Sequence, residues 1–169
     1  MEKIDFKKTM KALWQPSARD FSIVEVPPMQ FAMIDGKGDP NTSAEYVTAV
    51  QWLYGISYTL KFMSKKELAR NYTVPPLEGL WWAEDMAAFT SGDKSNWLWT
   101  AMIMQPEWIT PAMFDAAAEK MRQKQGEPPA SLRLAPYDEG LSVQIMHIGP
   151  YSAEAPTIEI FEAQAAKIG

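Results

Sequence analysis

The chain has 169 residues, enough to bury one sizeable core, and its length alone argues for a single domain. A formal net charge of -5 and a pI near 4.9 exclude the basic surface of a phosphate-backbone binder, so no nucleic-acid partner is expected. The absence of cysteine removes disulfides, thiol nucleophiles and thiolate metal sites and suits a reducing cytoplasm, while no apolar run reaches the roughly 18 residues of a membrane span.

Residues 1–20 form a lead-in, in which Phe6, Met10, Leu13 and Trp14 have rough helical spacing until Pro16 stops it. No secretory signal is visible in it. Residues 21–35 alternate as extended chain, interrupted at Pro27-Pro28 and closed by Gly36-Lys-Gly-Asp-Pro40. Asn41, Thr42 or Ser43 then caps the clearest helix, where Tyr46, Val47, Val50, Leu53, Tyr54, Ser57, Tyr58 and Lys61 recur at three- and four-residue steps to about Met63. Lys61, Lys65, Lys66 and Arg70 near its end complement the helix dipole.

Two strands are predicted over 72–83 and 97–105, joined by a polar turn with Gly92, Asp93, Ser95 and Asn96. In the second, Trp97, Trp99, Ala101 and Ile103 share one face and Leu98, Thr100, Met102 and Met104 the other. Thr110-Pro111 opens another helix that runs to Gly126, and Pro128-Pro129 closes it. Strands over 132–135 and 141–148 flank a turn at Tyr137-Asp-Glu-Gly140, where Asp138 and Glu139 read as a solvated pair. A last helix covers 157–168.

Aligned, these elements show a repeat. Phe31-Ala-Met-Ile-Asp-Gly36 with its loop and helix is echoed by Val143-Gln-Ile-Met-His-Ile-Gly149 with Pro150-Tyr-Ser and a helix, about 110 residues on. The first copy completes strand, helix, strand, strand; the second is expected to lack its last two strands. The order predicts an α+β fold in which 74–83 and 97–105 pair antiparallel. An unpaired edge in the second copy would be a template for association, so a homodimer through that edge is expected.

Seven Trp, seven Phe, six Tyr and eleven Met supply the flat and pliable surface of a small-molecule pocket, or simply an aromatic core. Within 74–83, period-two geometry sends Glu78, Leu80 and Trp82 to one face and Leu77 and Trp81 to the other. A carboxylate beside indole rings is desolvated; it either serves as a general base or counter-ion, or meets solvent or a lysine. Tyr54 and Tyr58, one helical turn apart, and Met102 and Met104, on one strand face, are candidates for ligand contact or for core. His147, the only histidine, leaves no metal site or Ser-His-Asp triad in view, so it reads as structural or as pocket lining, with Tyr151 beside it. No glycine loop has phosphate-binding spacing, and no cofactor is expected.

Four words, Ser57-Tyr-Thr-Leu-Lys-Phe62, Pro76-Leu-Glu-Gly-Leu-Trp-Trp82, Met102-Ile-Met-Gln-Pro106 and Gln144-Ile-Met-His-Ile-Gly-Pro-Tyr-Ser152, resemble the GyrI-like small-molecule-binding domains in order and spacing. The resemblance covers most of 21–169, which is taken as the ligand-binding domain after the 1–20 lead-in. It implies two pseudo-symmetric βαββ modules, helices on one side of an antiparallel sheet, and an aromatic pocket for a hydrophobic or planar molecule. Family members usually continue into a final hairpin that carries a second pocket glutamate. The Leu-Glu-Gly-Leu-Trp-Trp word is most similar to the stand-alone branch that hydrolyses cyclopropane-bearing genotoxins, which implies detoxification with Glu78 as catalyst. The site would be lined by Tyr54, Tyr58, Trp81, Trp82, Met102, Met104, His147 and Tyr151. A non-catalytic binder or sensor of hydrophobic or cationic drugs, or a gyrase-inhibitor-type interaction module, are the other functions the resemblance offers. Sensing in cis is disfavoured because no basic helix-turn-helix precedes residue 21.

Overall fold

The computed structural model describes residues 2–85 and 93–168; Gly92 of the expected turn lies outside them. In chain order the elements are β1 (Lys3–Ile4), α1 (Phe6–Thr9), α2 (Lys11–Trp14), β2 (Ser22–Val26), β3 (Met29–Lys37), α3 (Ala44–Glu67), β4 (Asn71–Tyr72) and β5 (Leu77–Trp82). There follow β6 (Leu98–Gln105), α4 (Pro111–Gln125), β7 (Arg133–Tyr137), β8 (Gly140–Gln144), a 3-10 turn at Tyr151–Ala153 and α5 (Ala155–Ile168). They form two compact units: Met1–Asp5 with Met29–Tyr137, and Phe6–Pro28 with Asp138–Gly169. None of the helices described is long and apolar enough to cross a membrane.

The first unit is an antiparallel sheet of order β5-β6-β3-β7 with α3 and α4 against one face. Side chains that alternate onto that face, Ala32, Ile34, Trp99, Ala101 and Ile103, interlock with Ala49, Trp52, Leu53, Ile56 and Leu60 of α3 and Phe114, Ala117 and Met121 of α4. Both helix starts follow local chemistry. Ser43 Oγ accepts from the Tyr46 amide and Thr110 Oγ1 from the Met113 amide, each at 3.2 Å, and Pro111 opens α4 where its missing N–H is not needed. Lys65 and Lys66 lie in the last turn of α3, while the Arg70 guanidinium sits 5.0 Å from the Trp108 ring centroid. Ser64, fully buried, accepts the Trp108 indole N–H at 2.9 Å and donates to the Arg70 carbonyl at 2.8 Å, tying the helix end to the chain that follows.

Gly36 and Trp99 are cross-strand partners, and the indole lies over the glycine: a Cβ at Gly36 would stand 2.2 Å from two ring carbons. Gly36→Ala is therefore expected to cost about 1–3 kcal/mol, since Trp99 is shut in by Tyr46 at 5.1 Å and has nowhere to retreat. Urea denaturation checks this; an unchanged midpoint would mean that the ring moves aside freely.

The strand expected over 72–83 is broken: Pro75 and Pro76 cannot donate to a ladder, so Asn71–Tyr72 pairs parallel with β1 and a separate strand begins at Leu77. In the other direction β7 runs past the expected Ala135 to Tyr137, because β3 begins early enough to pair Met29 with Tyr137. Pro136 is tolerated there, β7 being an edge strand.

In the second unit β8 pairs antiparallel with β2 as a two-stranded ribbon. The strand expected over 141–148 stops at Gln144, whose partner Ser22 is the first residue of β2, so residues beyond it have no ladder to join. The helical spacing of the lead-in yields only the short α1 and α2.

Candidate functional site

The sheet face of the first unit turned away from α3 and α4 gathers the chemistry. Register puts Glu78, Met102, Met33 and Arg133 in one cross-strand row, with Leu80, Thr100 and Asp35 in the next and Met104, Phe31 and Ala135 on the other side. Paired residues of antiparallel strands share a face, so all of these project oppositely to Trp99, Ala101 and Ile103. Phe31, Met33, Met102 and Met104 are buried without belonging to the helix-side core. At the β5 edge Glu78 is half-buried with Oε2 shut off from solvent, and Trp82, four residues along the same face, is 41% exposed. A carboxylate in that position, opposite the Met102 thioether, is within the residue types that can take a proton from water.

Across the same face lies a polar cluster. Asp35 accepts two hydrogen bonds from the Arg133 guanidinium, at 2.8 and 3.1 Å, and one from the buried Thr100 hydroxyl at 2.6 Å. Ser131 Oγ accepts from the Asp35 amide and donates to its carbonyl, fastening the chain entering β7 to β3. Burial pushes the Asp35 carboxyl up, but the Arg133 and Thr100 hydrogen bonds and the Arg133 charge outweigh it and hold the group below the usual carboxylate range. A carboxyl lowered on folding adds stability that is present above its unfolded value, about 3.9, and is lost as pH falls through the lower folded value. Asp35→Asn is thus expected to be less stable than the parent at neutral pH by on the order of 1 kcal/mol, an exposed-pair magnitude because both side chains stay partly in water. That gap should close below about pH 4 in paired melting curves; a gap that persists into acid would assign it to packing.

The other candidates lie elsewhere. Trp81 points to the helix side, 5.7 Å from Tyr46 and 6.0 Å from Trp97 between ring centroids. Tyr54 and Tyr58 stack at 6.5 Å on α3, Tyr54 packed against the helix-side core and Tyr58 exposed, with Lys61 Nζ 5.8 Å from its ring. Partial burial, together with Lys3 and Lys65 nearby, lowers the Lys61 pKa. His147 belongs to the second unit, its Nδ1 3.1 Å from Thr157 Oγ1 and its Nε2 3.3 Å from the Pro150 carbonyl, so both nitrogens are engaged. Tyr151 is 83% exposed in the 3-10 turn, and Asp138 and Glu139 are exposed between β7 and β8.

The structure therefore puts Glu78, Trp82, Met102 and Met104 on one sheet face, with Trp82 at its far end opposite Leu98, and sets Trp81, Tyr54 and Tyr58 on the helix side or on α3. It adds Phe31, Met33, Asp35, Thr100 and Arg133, which sequence reasoning missed. Alternation in Phe31-Ala-Met-Ile-Asp35 held the signal for three of them, but nothing local tells that β7 lies beside β3.

The sequence profile of the GyrI-like small molecule binding domain matches residues 19–165. Among solved structures, an uncharacterized conserved protein from Listeria innocua superposes with a TM-score of 0.84 at 40% identity, covering 96% of this chain and 82% of that one. Two crystal structures of hydrolases from Listeria innocua follow at TM-scores of 0.83 and 0.79 and identities of 40% and 38%. They cover 97% and 96% of this chain and 82% and 85% of theirs. Among curated proteins none matches.

Proposed function

Because the chain belongs to the GyrI-like small-molecule-binding domain family, we propose that it hydrolyses flat, strained electrophiles, such as cyclopropane-bearing genotoxins, on the face of its first-unit sheet turned away from α3 and α4. The observation that carries the reading is the row of Glu78, Met102, Met33 and Arg133, with a half-buried carboxylate at one end and two buried thioethers beside it. Two neighbours are described as hydrolases, which favours a reaction over simple capture. In this scheme Glu78 takes a proton from water as its oxygen bonds to a cyclopropane carbon, the strained C–C bond breaks, and its electron pair passes into the conjugated system. The thioethers of Met102 and Met104 hold the flat body in place, with Trp82 further along the same face.

A non-catalytic binder of hydrophobic or cationic drugs is the second reading, favoured by the adaptable Met-rich floor itself. Incubating the protein with a large excess of a cyclopropane-bearing electrophile in ¹⁸O-water separates the two. Many equivalents of ring-opened product, each with one heavy oxygen, support the enzyme; uptake of one equivalent without product supports the binder. In the same proposal the protein works in the cytoplasm, and any homodimer uses β5 or the β2–β8 ribbon, since Pro136 withholds a donor from the β7 edge.

A further inference from the structure

A cleft of about 380 Å³ opens in the second unit, between the chain entering β2 and the segment leaving β8. The two stretches are held together there by backbone: the Met146 amide donates to the Ser17 carbonyl at 3.0 Å, and the Gln144 side-chain amide to the Ala12 carbonyl at 2.6 Å. The wall is apolar, with Phe21, Ile145, Met146, Ile148 and Ile160 on the lining. Three of these stay open to water, Met146 at 39%, Ile148 at 77% and Ile160 at 55% exposure. Large apolar side chains left uncovered around a concavity are a binding surface more often than an accident of packing.

Arg19 is the charged residue on this lining, and among the described residues its guanidinium has no carboxylate partner. In a chain of net charge -5, an uncompensated arginine beside an apolar cleft is a local exception to the surrounding field. His147, also on the lining, is held at both nitrogens and so offers a fixed ring wall. We propose that the cleft binds a small apolar anion, an alkyl or aryl carboxylate, with its body on Phe21, Ile145 and Ile160 and its carboxylate on the Arg19 fork. Guanidinium matches a carboxylate in a bidentate way, and the cleft lies at the small end of ligand sites, which run about 300–1,000 Å³. A medium-chain or single-ring carboxylate is the size that fits. The inference involves no step at Glu78 and stands whether or not the protein is a hydrolase.

Titration of the intact protein with octanoate and with octanol, followed through the ¹³C-methyl of Met146 and by calorimetry, tests it. Octanoate is expected to shift that methyl saturably, and Arg19→Gln to weaken octanoate by about tenfold while leaving octanol unchanged. Ile160→Glu, at an exposed position, should abolish octanoate binding by placing a like charge in the cleft. A Met146 methyl that stays still, or an Arg19→Gln variant that binds octanoate as tightly as the parent, overturns the proposal.

Discussion

Glu78→Gln is expected to lower the turnover of a cyclopropane-bearing electrophile by about 10²–10⁴, the usual loss when a general base is removed. Glutamine keeps the shape and its carbonyl can still accept a hydrogen bond, but it cannot take the proton that attacking water must lose. The fall should appear in kcat more than in KM, because proton transfer develops only in the transition state. Stability should change little, within about 1 kcal/mol, since the side chain is half-buried at a sheet edge. Full activity in a variant that melts like the parent would remove Glu78 from the chemistry and move attention to the other carboxylate of this face, Asp35. That residue is already engaged with Arg133 and Thr100 and is the poorer base.

Trp99→Ala is expected to cost about 3–5 kcal/mol, enough to unfold a marginal domain. The indole is fully buried at the centre of the sheet, covers Gly36, and meets the Tyr46 ring edge-on at 5.1 Å. Gly36 has no side chain to refill the space and Ala101, on the same strand face, is small, so collapse around the cavity would be limited. Trp99→Phe serves as the control: it retains most of the apolar contact and discards an indole N–H that is buried with no partner among the described residues. Its loss should be well under half that of alanine in matched urea melts. Equal losses would mean that the six-membered ring over Gly36 is not what holds the sheet to α3.

The parts of this structure that local rules govern were legible in advance. Ser43 and Thr110 cap the helices they precede, and Pro27-Pro28 divides β2 from β3. Alternation separates Glu78 and Trp82 from Trp81, and Met102 and Met104 from Trp99, as their registers confirm. The misses arise where partners are distant. Pro75-Pro76 broke a strand that alternation alone made continuous, and β8 ended where β2 ran out of residues to pair. Asp35 and Arg133 are separated by nearly the whole first unit in sequence, and only the pairing of β3 with β7 makes them an ion pair. Long-range pairing leaves no periodic trace in either strand, which is why Asp35 looked only like the end of a strand and Arg133 was not singled out.

The methionines report directly on which face of the sheet a ligand sits. Met33, Met102 and Met104 belong to the face turned away from α3 and α4, whereas Met63 and Met121 lie between the sheet and its helices. Titrating ¹³C-methyl-methionine protein with a planar aromatic cation, a class that Glu78 would attract and Arg19 would repel, should move the methyls of Met33, Met102 and Met104 along one saturable curve. Met63 and Met121 should hold still, and Glu78→Gln should weaken the curve. Saturable shifts at Met63 and Met121 with the methyls of Met33, Met102 and Met104 silent would contradict the account and place the ligand on the helix side of the sheet.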